Sequence, residues 1–265
     1  MTIAKCLTEL HAKFIPDILE GSTVACHIEV DGTDEEQPVH QHQSGQLVFV
    51  DQGGMICDTH DSIWFIPSQC AMWIPGGIPH HIRVKDCSNS YFLFVKPDKS
   101  CLPSKCCMLS ITPLIRQILI SFADGEPVLT ARDLHVRLAE FLLELLATAP
   151  TVALQIPTSS HPIIRILSNK LTDSPGDRTT MAQWAAQFGL SERSFARLVV
   201  KETRLTFGRW RQYFQLFSAM QQLKSGATVN SVALQLGYDS TTAFITMFKK
   251  AVGDSPAHYF SSILR

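Results

Sequence analysis

Short apolar runs, separated by turn-forming residues, occupy the first hundred positions of this 265-residue chain. Runs such as QLVFV, SIWFI and YFLFV are rich in aromatic and β-branched residues, as is typical of strands. Groups such as DQGG and PGGIP lie between them and favour turns. Many short strands at this spacing predict a β-sandwich or a closed β-barrel.

The apolar spacing changes to a helical period near residue 111. The segments TPLIRQILISFA and ARDLHVRLAEFLLELLATA each predict a helix. The second carries a broad apolar stripe, formed by Leu134, Leu138, Phe141, Leu142, Leu145 and Leu146. Such a stripe can pack on its own domain or form a dimer interface, and the two uses do not exclude each other. The proline-containing segment that follows predicts a linker over 149–161.

Two similar helical patterns follow, over residues 179–203 and 229–253. Each predicts a helix, a turn at a glycine and a second helix, with Gly189 and Gly237 at the turns. Ser191 in the first pattern, and Ser240 or Thr241 in the second, can cap the second helix. The inward positions predicted for the four helices are Met181, Ala185, Phe188, Phe195, Leu198, Val199, Val232, Ala233, Leu236, Phe244 and Phe248. This is the arrangement of DNA-binding helix-turn-helix units.

Charge is divided unevenly along the chain. Residues 1–160 contain 10 Lys and Arg against 18 Asp and Glu, whereas residues 161–265 contain 13 against 6. A basic C-terminal part behind an acidic N-terminal part indicates a nucleic-acid-binding module carried by another domain.

Neither a membrane nor an export route is expected from the sequence. No apolar run approaches the 18 or so residues that a transmembrane helix needs, and charges interrupt the N-terminal segment, unlike a signal peptide. The eight cysteines form no CxxC pair. We therefore expect reduced thiols in a cytoplasmic protein.

The C-terminal hundred residues resemble a known family. The segment ALQLGYDSTTAFITMFKKAVGDSPAHYF is similar to the C-terminal signature of AraC/XylS-type transcription regulators, and MAQWAAQFGLSERSFARLVVKETRLTFGRWRQ resembles their first helix-turn-helix unit. The resemblance implies a long connecting helix, here about Phe207–Lys224, and two recognition helices in successive major-groove turns, roughly 34 Å apart. Arg204 stands where these regulators commonly have glycine, so a left-handed residue there would cost on the order of 1 kcal/mol.

Helical phase predicts which residues of the two recognition helices face the DNA groove. Burial of Phe195, Leu198 and Val199 leaves Arg193, Ser194 and Arg197 outward, and an arginine there can bind guanine O6 and N7 together. Burial of Phe244 and Phe248 leaves outward Thr241, Thr242, Ile245 and Thr246, which can pack on thymine methyl groups. Lys249 and Lys250 are expected at phosphates.

The N-terminal half resembles a cupin, a small β-barrel that many of these regulators use as a sensor. HQHQSGQ (40–46) approximates the first cupin motif and PGGIPH (75–80) fits the second. In metal-binding cupins the equivalents of His40, His42, Gln46 and His80 would be the ligands. Strand geometry supports a shared face, because residues 40, 42 and 46 have the same parity.

Gln46 decides between two interpretations of this cluster. A carboxylate would supply charge to a divalent ion, whereas a neutral amide is a weak ligand. We therefore favour a polar pocket for a small-molecule effector, lined also by Trp64 and Trp73, and expect no cofactor. The alternative is a divalent metal held by the same four residues, in a metal-dependent cupin enzyme or a metal sensor fused to a DNA-binding domain.

These observations predict a two-domain α+β protein. A cupin-like β-barrel over about 20–97 and a helical dimerisation segment over about 111–148 form a sensor domain, 1–148. The linker 149–161 leads to an all-α double helix-turn-helix domain, 162–265. The expected partners are double-stranded DNA, a small-molecule effector and a second copy of the chain in a homodimer. The family resemblance implies a non-enzymatic transcription regulator in a bacterial cytoplasm.

Overall fold

The computed structural model describes residues 3–4, 7, 17, 23–30, 35–67, 70–84, 88–124, 132–152, 155–252 and 255–263. The chain divides into two compact units, the first containing residues up to 155 and the second those from 156 onwards, with 60–63 grouped in the second. Within the described residues, none of the helices has the length and apolar character needed to span a bilayer.

Twelve short strands are found among the described residues, and they are distributed over two sheets. Their bounds are β1 Ile3–Ala4, β2 Thr23–Val30, β3 Glu35–Glu36, β4 Gly45–Gln52, β5 Gly54–Thr59, β6 Ser62–Pro67, β7 Cys70–Ile74, β8 His80–Val84, β9 Ser88–Val95, β10 Cys107–Ser110, β11 Thr151–Val152 and β12 Gln155–Pro157. One sheet has the order β1-β2-β9-β4-β7-β10-β11 and the other β12-β6-β5-β8-β3. The described strands thus form two sheets rather than the single closed barrel that the cupin resemblance implied.

Nine helices are described. Their bounds are α1 Pro113–Asp124, α2 Arg132–Thr148, α3 Pro162–Asp173, α4 Met181–Gln187, α5 Glu192–Thr203, α6 Phe207–Lys224, α7 Val229–Gln235, α8 Thr241–Val252 and α9 Pro256–Ile263. The first two belong to the N-terminal unit and the other seven to the C-terminal unit.

Strand β4 is buried along residues 45–50, so it lacks the alternation of a half-exposed strand. Register explains why. Leu47 lies opposite Trp73 and Leu93, and these three side chains belong to the apolar core that α1 and α2 cover. Gln46, one residue earlier, points to the other face with its partners Ile74 and Phe94.

The apolar stripe predicted on α2 is only partly buried. The residues that join the core are Ala139, Leu142, Leu143 and Leu146. Leu134 and Phe141 are 36% and 44% exposed, and Val136 is 40% exposed. The prediction placed all six stripe residues on one face. In the structure the buried face lies nearer Ala139 and Leu143. Of the six, Leu142 and Leu146 are buried, Leu138 and Leu145 are partly buried, and Leu134 and Phe141 are exposed.

The segment predicted as a linker carries hydrogen-bonded structure in its described residues. It contains β11, which pairs with β10, and β12, in the second sheet. The carbonyl of Pro157 accepts a hydrogen bond from the indole of Trp210 at 2.8 Å. Proline lacks an N–H donor, yet its carbonyl remains available, so a proline-containing stretch can still be fixed in place.

The second unit contains both predicted helix-turn-helix pairs, α4–α5 and α7–α8, with α6 between them. Gly189 (φ 65°) and Gly237 (φ 79°) supply the left-handed turn residues. Ser191 caps α5 by accepting from Ser194 N–H, and Ser240 accepts from Ala243 N–H at the start of α8. The predicted bounds of the connecting helix, Phe207–Lys224, match α6.

Arg204 ends α5 in the left-handed conformation, with φ 61° and ψ 12°. It is the one non-glycine residue with positive φ among those described. The structure thus places strain at the position where the sequence departs from its family.

Replacing Arg204 with glycine is expected to stabilise the second unit by about 1 kcal/mol, because glycine adopts positive φ without the Cβ penalty. Scanning calorimetry of the full chain measures the shift. Arg204→Ala is the matched control, since it removes the charge but keeps Cβ. An equal gain from both substitutions would show that charge, not backbone strain, limits stability here.

Candidate functional site

Helix α5 presents a polar face with charged residues near its N-terminal end. Arg193, Ser194 and Arg197 are exposed, while Phe195 and Val199 are buried. Side chains three and four apart share a helix face, so Arg193 and Arg197 lie together. This face can therefore bring two guanidinium groups to one groove, which matches the outward set predicted from helical phase.

Helix α8 presents a different chemistry. Thr242, Thr246, Lys249 and Lys250 are exposed, and Thr241 and Ile245 are half-buried. The Thr246 hydroxyl donates to the carbonyl of Thr242 at 2.9 Å, which leaves its methyl group for contacts outside the helix. Small apolar groups and hydroxyls in place of arginines suit contact with thymine methyls better than with guanine.

The connecting helix α6 holds the second helix-turn-helix unit through Gln215. Its amide NH₂ donates to the carbonyl of Leu236 at 3.1 Å, and its oxygen accepts from the Tyr238 hydroxyl at 2.9 Å. Both partners flank Gly237, so one side chain fixes the turn between α7 and α8.

Two features of this unit were missed at the level of sequence. Trp184, not Met181 or Phe188, is the large buried side chain of α4 at 4% exposure, and the latter two are half-buried. Thr241 donates to Asn230 Oδ1 at 2.7 Å, so its hydroxyl is engaged within the unit. The first could have been found from the size and apolar character of Trp184, which lies next to the predicted inward residue Ala185. The second, a contact between α7 and α8, has no signal in the sequence.

In the first unit, His40, His42, His80 and Gln46 meet on the face of the seven-stranded sheet opposite α1 and α2. The His42 Nε2 lies 2.9 Å from Gln46 Oε1, and the His80 Nε2 lies 3.1 Å from the same oxygen. The ring centroids of His40 and His80 are 4.3 Å apart. The four residues that were predicted to share a face therefore form one cluster.

Backbone contacts between two loops position this cluster. His40 and His80 exchange reciprocal backbone hydrogen bonds of 3.0 and 2.9 Å. Gly77 N–H donates to the carbonyl of His42 at 2.7 Å. A Cβ on Gly76 would lie 1.8 Å from the Gln43 carbonyl oxygen. Glycine at 76 is therefore required for the two motifs to approach each other.

The electrostatics of the cluster favour a neutral imidazole at His80. Burial lowers the pKa of His80 to about 3, against the opposing hydrogen bond with the Ile78 carbonyl, and His40 and His42 lower it further. Asp17 binds the loop that carries His42. Burial acts to raise the pKa of the Asp17 carboxyl, but hydrogen bonds from Gln43 and Ser44 outweigh burial and hold that pKa below its ordinary value. The Asp17 carboxylate thus fixes the loop that carries His42.

The two tryptophans predicted to line the pocket have different positions. Trp73 points away from it: paired with Leu47, it lies under the helices and donates to the Pro103 carbonyl at 2.8 Å. Including it was wrong, since neighbours on a strand face opposite ways, and Met72 takes the Gln46 face instead. Trp64 is buried in β6, and among the described residues its indole N–H has no hydrogen-bond partner.

Two helix-turn-helix units with exposed recognition helices define a DNA-binding protein, and comparison with known proteins identifies its family. A family model described as a helix-turn-helix domain matches residues 184–262. The HTH-type transcriptional regulator NimR of Escherichia coli (strain K12) is 42% identical over 249 residues, covering 94% of this chain and 91% of the relative. The chain belongs to the AraC family of HTH-type transcriptional regulators.

More distant similarities extend over most of the chain. The HTH-type transcriptional activator RhaR of Mannheimia succiniciproducens is 22% identical over 244 residues, covering 86% of this chain and 88% of its own. Among solved structures, ToxT from Vibrio cholerae with a bound unsaturated fatty acid is 9% identical, with 89% and 93% coverage and a TM-score of 0.37.

Gly76→Ala is expected to destabilise the first unit by about 1–3 kcal/mol, because the added methyl group overlaps a backbone carbonyl that cannot move independently. Urea unfolding of the full chain measures the loss. Gly77→Asn is the matched control, since φ is +78° there with no atom within 4 Å of the added Cβ, and asparagine tolerates that conformation. Equal stability of Gly76→Ala and the wild type would contradict the close approach of the loops.

Proposed function

We propose that this transcriptional regulator binds a specific DNA sequence through α5 and α8 and is controlled by a small-molecule effector in the polar cluster of its N-terminal unit. The observation that carries the DNA-binding part is the exposure of Arg193 and Arg197 on one capped helix, with the phase fixed by buried Phe195. The proposed place of action is the cytoplasm, where a bacterial chromosome lies.

The two recognition helices divide base recognition between them in this proposal. Arg193 and Arg197 bind guanine edges, and Ser194 adds an adaptable hydroxyl. Thr242, Ile245 and Thr246 contact thymine methyl groups, with Thr241 positioned beside them by Asn230. Lys249 and Lys250 lie in the last turn of α8 and bind phosphate, which orients the helix without reading sequence.

The effector site is proposed at His40, His42, Gln46 and His80, in a cupin-like N-terminal domain. A few convergent polar groups are the usual means by which a pocket orients a ligand. The unpartnered indole N–H of buried Trp64 also supports a polar ligand in this unit, since such a donor costs free energy until it is paired.

A homodimer is proposed as the functional form. The exposed residues Leu134 and Phe141, seven positions apart on α2, share a helix face that a second copy could cover. The domain division of the proposal is a sensor over 1–148, a connecting segment over 149–161 and a DNA-binding domain over 162–265.

Arg197→Ala is expected to weaken binding to the preferred DNA site by about 1–3 kcal/mol, roughly 5- to 150-fold, through loss of a bidentate base contact. Gel-shift titration against sites selected from random DNA gives the measurement. Arg197→Lys is the matched variant: it keeps the charge but loses the planar fork, so it retains non-specific affinity and loses discrimination. Full discrimination by both variants would contradict base recognition by Arg197.

Removing Lys249 and Lys250 together is expected to weaken binding to all sequences alike. Each lost phosphate contact lowers the slope of log affinity against log salt by about 0.9, so the double alanine variant lowers it by up to twice that. The control is the double variant Lys99→Ala and Lys105→Ala, which removes two exposed charges from the first unit. A change of sequence preference instead of slope would assign the α8 lysines to base contacts.

A further inference from the structure

The segment 174–179, between α3 and α4, touches the turn of the second helix-turn-helix pair. A Cβ on Gly176 would lie 2.2 Å from the carbonyl oxygen of Gln235, the last residue of α7. A Cβ on Gly237, in the turn itself, would lie 3.1 Å from the Gly176 carbonyl oxygen. The two backbones are therefore in direct contact, with no room for a side chain between them.

Room, and not backbone conformation, requires glycine at 176. Gly176 is not among the glycines with positive φ, so other residues can adopt its conformation. A carbon atom packs at about 3.5 Å or more from its neighbours, so a side chain at 176 would displace the turn by about 1 Å. Beside this contact, Arg178 and Asp239 form an ion pair at 3.5 Å. Both side chains are exposed, so the ion pair adds little and the backbone contact holds the segment to the turn.

The same segment is tied to the first helix-turn-helix pair. Three residues separate Gly176 from Thr180, whose side chain caps α4. Four residue steps span at most about 14 Å. The Asp177 carboxylate accepts a hydrogen bond from the Thr179 N–H at 2.7 Å, which keeps the segment from full extension. The turn of the second pair therefore lies within this reach of the start of the first pair.

Helix α6 binds both sides of this contact. Arg211 donates to the Thr179 carbonyl at 3.1 Å, and the NH₂ group of Gln215 donates to the Leu236 carbonyl. Positions four apart share a helix face, so Arg211 and Gln215 hold the two pairs side by side. The α4–α5 pair, the α7–α8 pair and α6 thus contact one another in all three combinations. A shared helix alone leaves each pair free to rotate about its own joint, whereas the third contact removes that freedom.

We propose that the segment 174–179 is a bridge that sets the rotation of α8 relative to α5, with Gly176 as its positioning residue; this inference rests on the DNA-binding mode proposed above. Helix α6 sets the distance between the recognition helices, and the bridge fixes their angle. One base pair added between the two half-sites moves the second by about 3.4 Å and turns it by about 35° around the duplex. Helices locked at one angle cannot follow that turn, so the bridge makes the protein selective for half-site spacing.

The first measurement needs no DNA. Paramagnetic labels are placed on the full chain at exposed Lys201 of α5 and exposed Lys250 of α8. Noncanonical amino acids carry the labels, because the chain has eight native cysteines that compete for thiol reagents. Electron–electron double resonance is expected to give one narrow distance for the otherwise unchanged chain. Gly176→Ala is expected to shift or broaden it by about 1 Å or more, since the added methyl group displaces the turn by that amount.

The second measurement is the spacing preference on DNA. The unlabelled wild type is expected to bind its selected site at least about tenfold tighter than a site with one base pair inserted between the half-sites. Gly176→Ala is expected to lower this ratio to about threefold or less, because an α7–α8 pair that can rotate accepts both spacings. Partial unfolding reduces binding to both sites equally, so it cannot change the ratio.

Gly208→Ala is the matched control. It adds the same methyl group in the first turn of α6, where nothing outside the helix backbone lies within 4 Å of the new Cβ, so distance and ratio are expected to stay unchanged. If circular dichroism shows that Gly176→Ala does not fold, Arg211→Met replaces it. That change frees the Thr179 carbonyl without adding a clash, and it is expected to broaden the distance and lower the ratio.

A label distance and a spacing ratio that both stay unchanged in Gly176→Ala would overturn the bridge. A ratio lost at an unchanged distance would overturn it too, because Gly176 would then act on DNA and not on the position of α8. A distance that changes at an unchanged ratio would overturn its role in recognition, and equal changes in Gly208→Ala would overturn the contact as their cause. If the wild type binds no DNA site selectively, the proposed function fails, while the label distances still decide whether the bridge holds.

Discussion

The burial of strand β4 on both faces is the constraint that organises the N-terminal unit. Leu47 and its neighbours on one face need a cover, which α1 and α2 supply. Gln46 on the other face then lies within an enclosed layer, where an amide requires partners. The Asp51 carboxylate at the far end of β4 binds Arg116 of α1 through two hydrogen bonds, so one strand carries both the helical cover and the polar cluster.

In the DNA-binding unit, helix α6 is the element that organises the packing, as β4 is in the N-terminal unit. Its Trp210 is fully buried and Gln215 fixes the second turn through two hydrogen bonds. Arg211 on the same helix donates to the Thr179 carbonyl, directly before the first helix-turn-helix unit. Contacts from one rigid helix to both units make their spacing a property of the helix and not of flexible loops. In the proposed binding mode, arginines on α5 and threonines on α8 give the two halves different base preferences.

Local sequence patterns made much of the C-terminal unit predictable. The glycines at 189 and 237, the caps at Ser191 and Ser240 and the bounds of α6 follow from short-range backbone requirements, which a sequence shows directly. The convergence of His40, His42, Gln46 and His80 followed from the two motifs. Strand parity did not carry it, because β4 begins only at Gly45 and His42 lies in the loop before it. By contrast, parity alone should have separated Trp73 from Met72, and its inclusion in the pocket disregarded that rule.

What the sequence could not show depends on contacts between distant segments. Composition predicted a linker over 149–161. It could not show the pairing of β11 with β10 or the hydrogen bond from Trp210 to Pro157, because each joins residues more than 40 positions apart in the sequence. The position of the buried face on α2 depends on where the sheet lies. The orientation of the imidazoles of His40, His42 and His80 depends on contacts between each Nδ1 and a backbone carbonyl, those of Pro38, Ser44 and Ile78 respectively. Such contacts have no sequence signature.

The central claim is that one chain reads DNA with two recognition helices held at a fixed spacing by α6. Hydroxyl-radical footprinting of the full-length protein on its selected DNA site tests this most directly. The account predicts two protected segments on one face of the duplex, about one helical turn or 10 base pairs apart for each chain, and loss of only the first on Arg197→Ala. A single protected segment per chain, or uniform weak protection that ignores sequence, would contradict it.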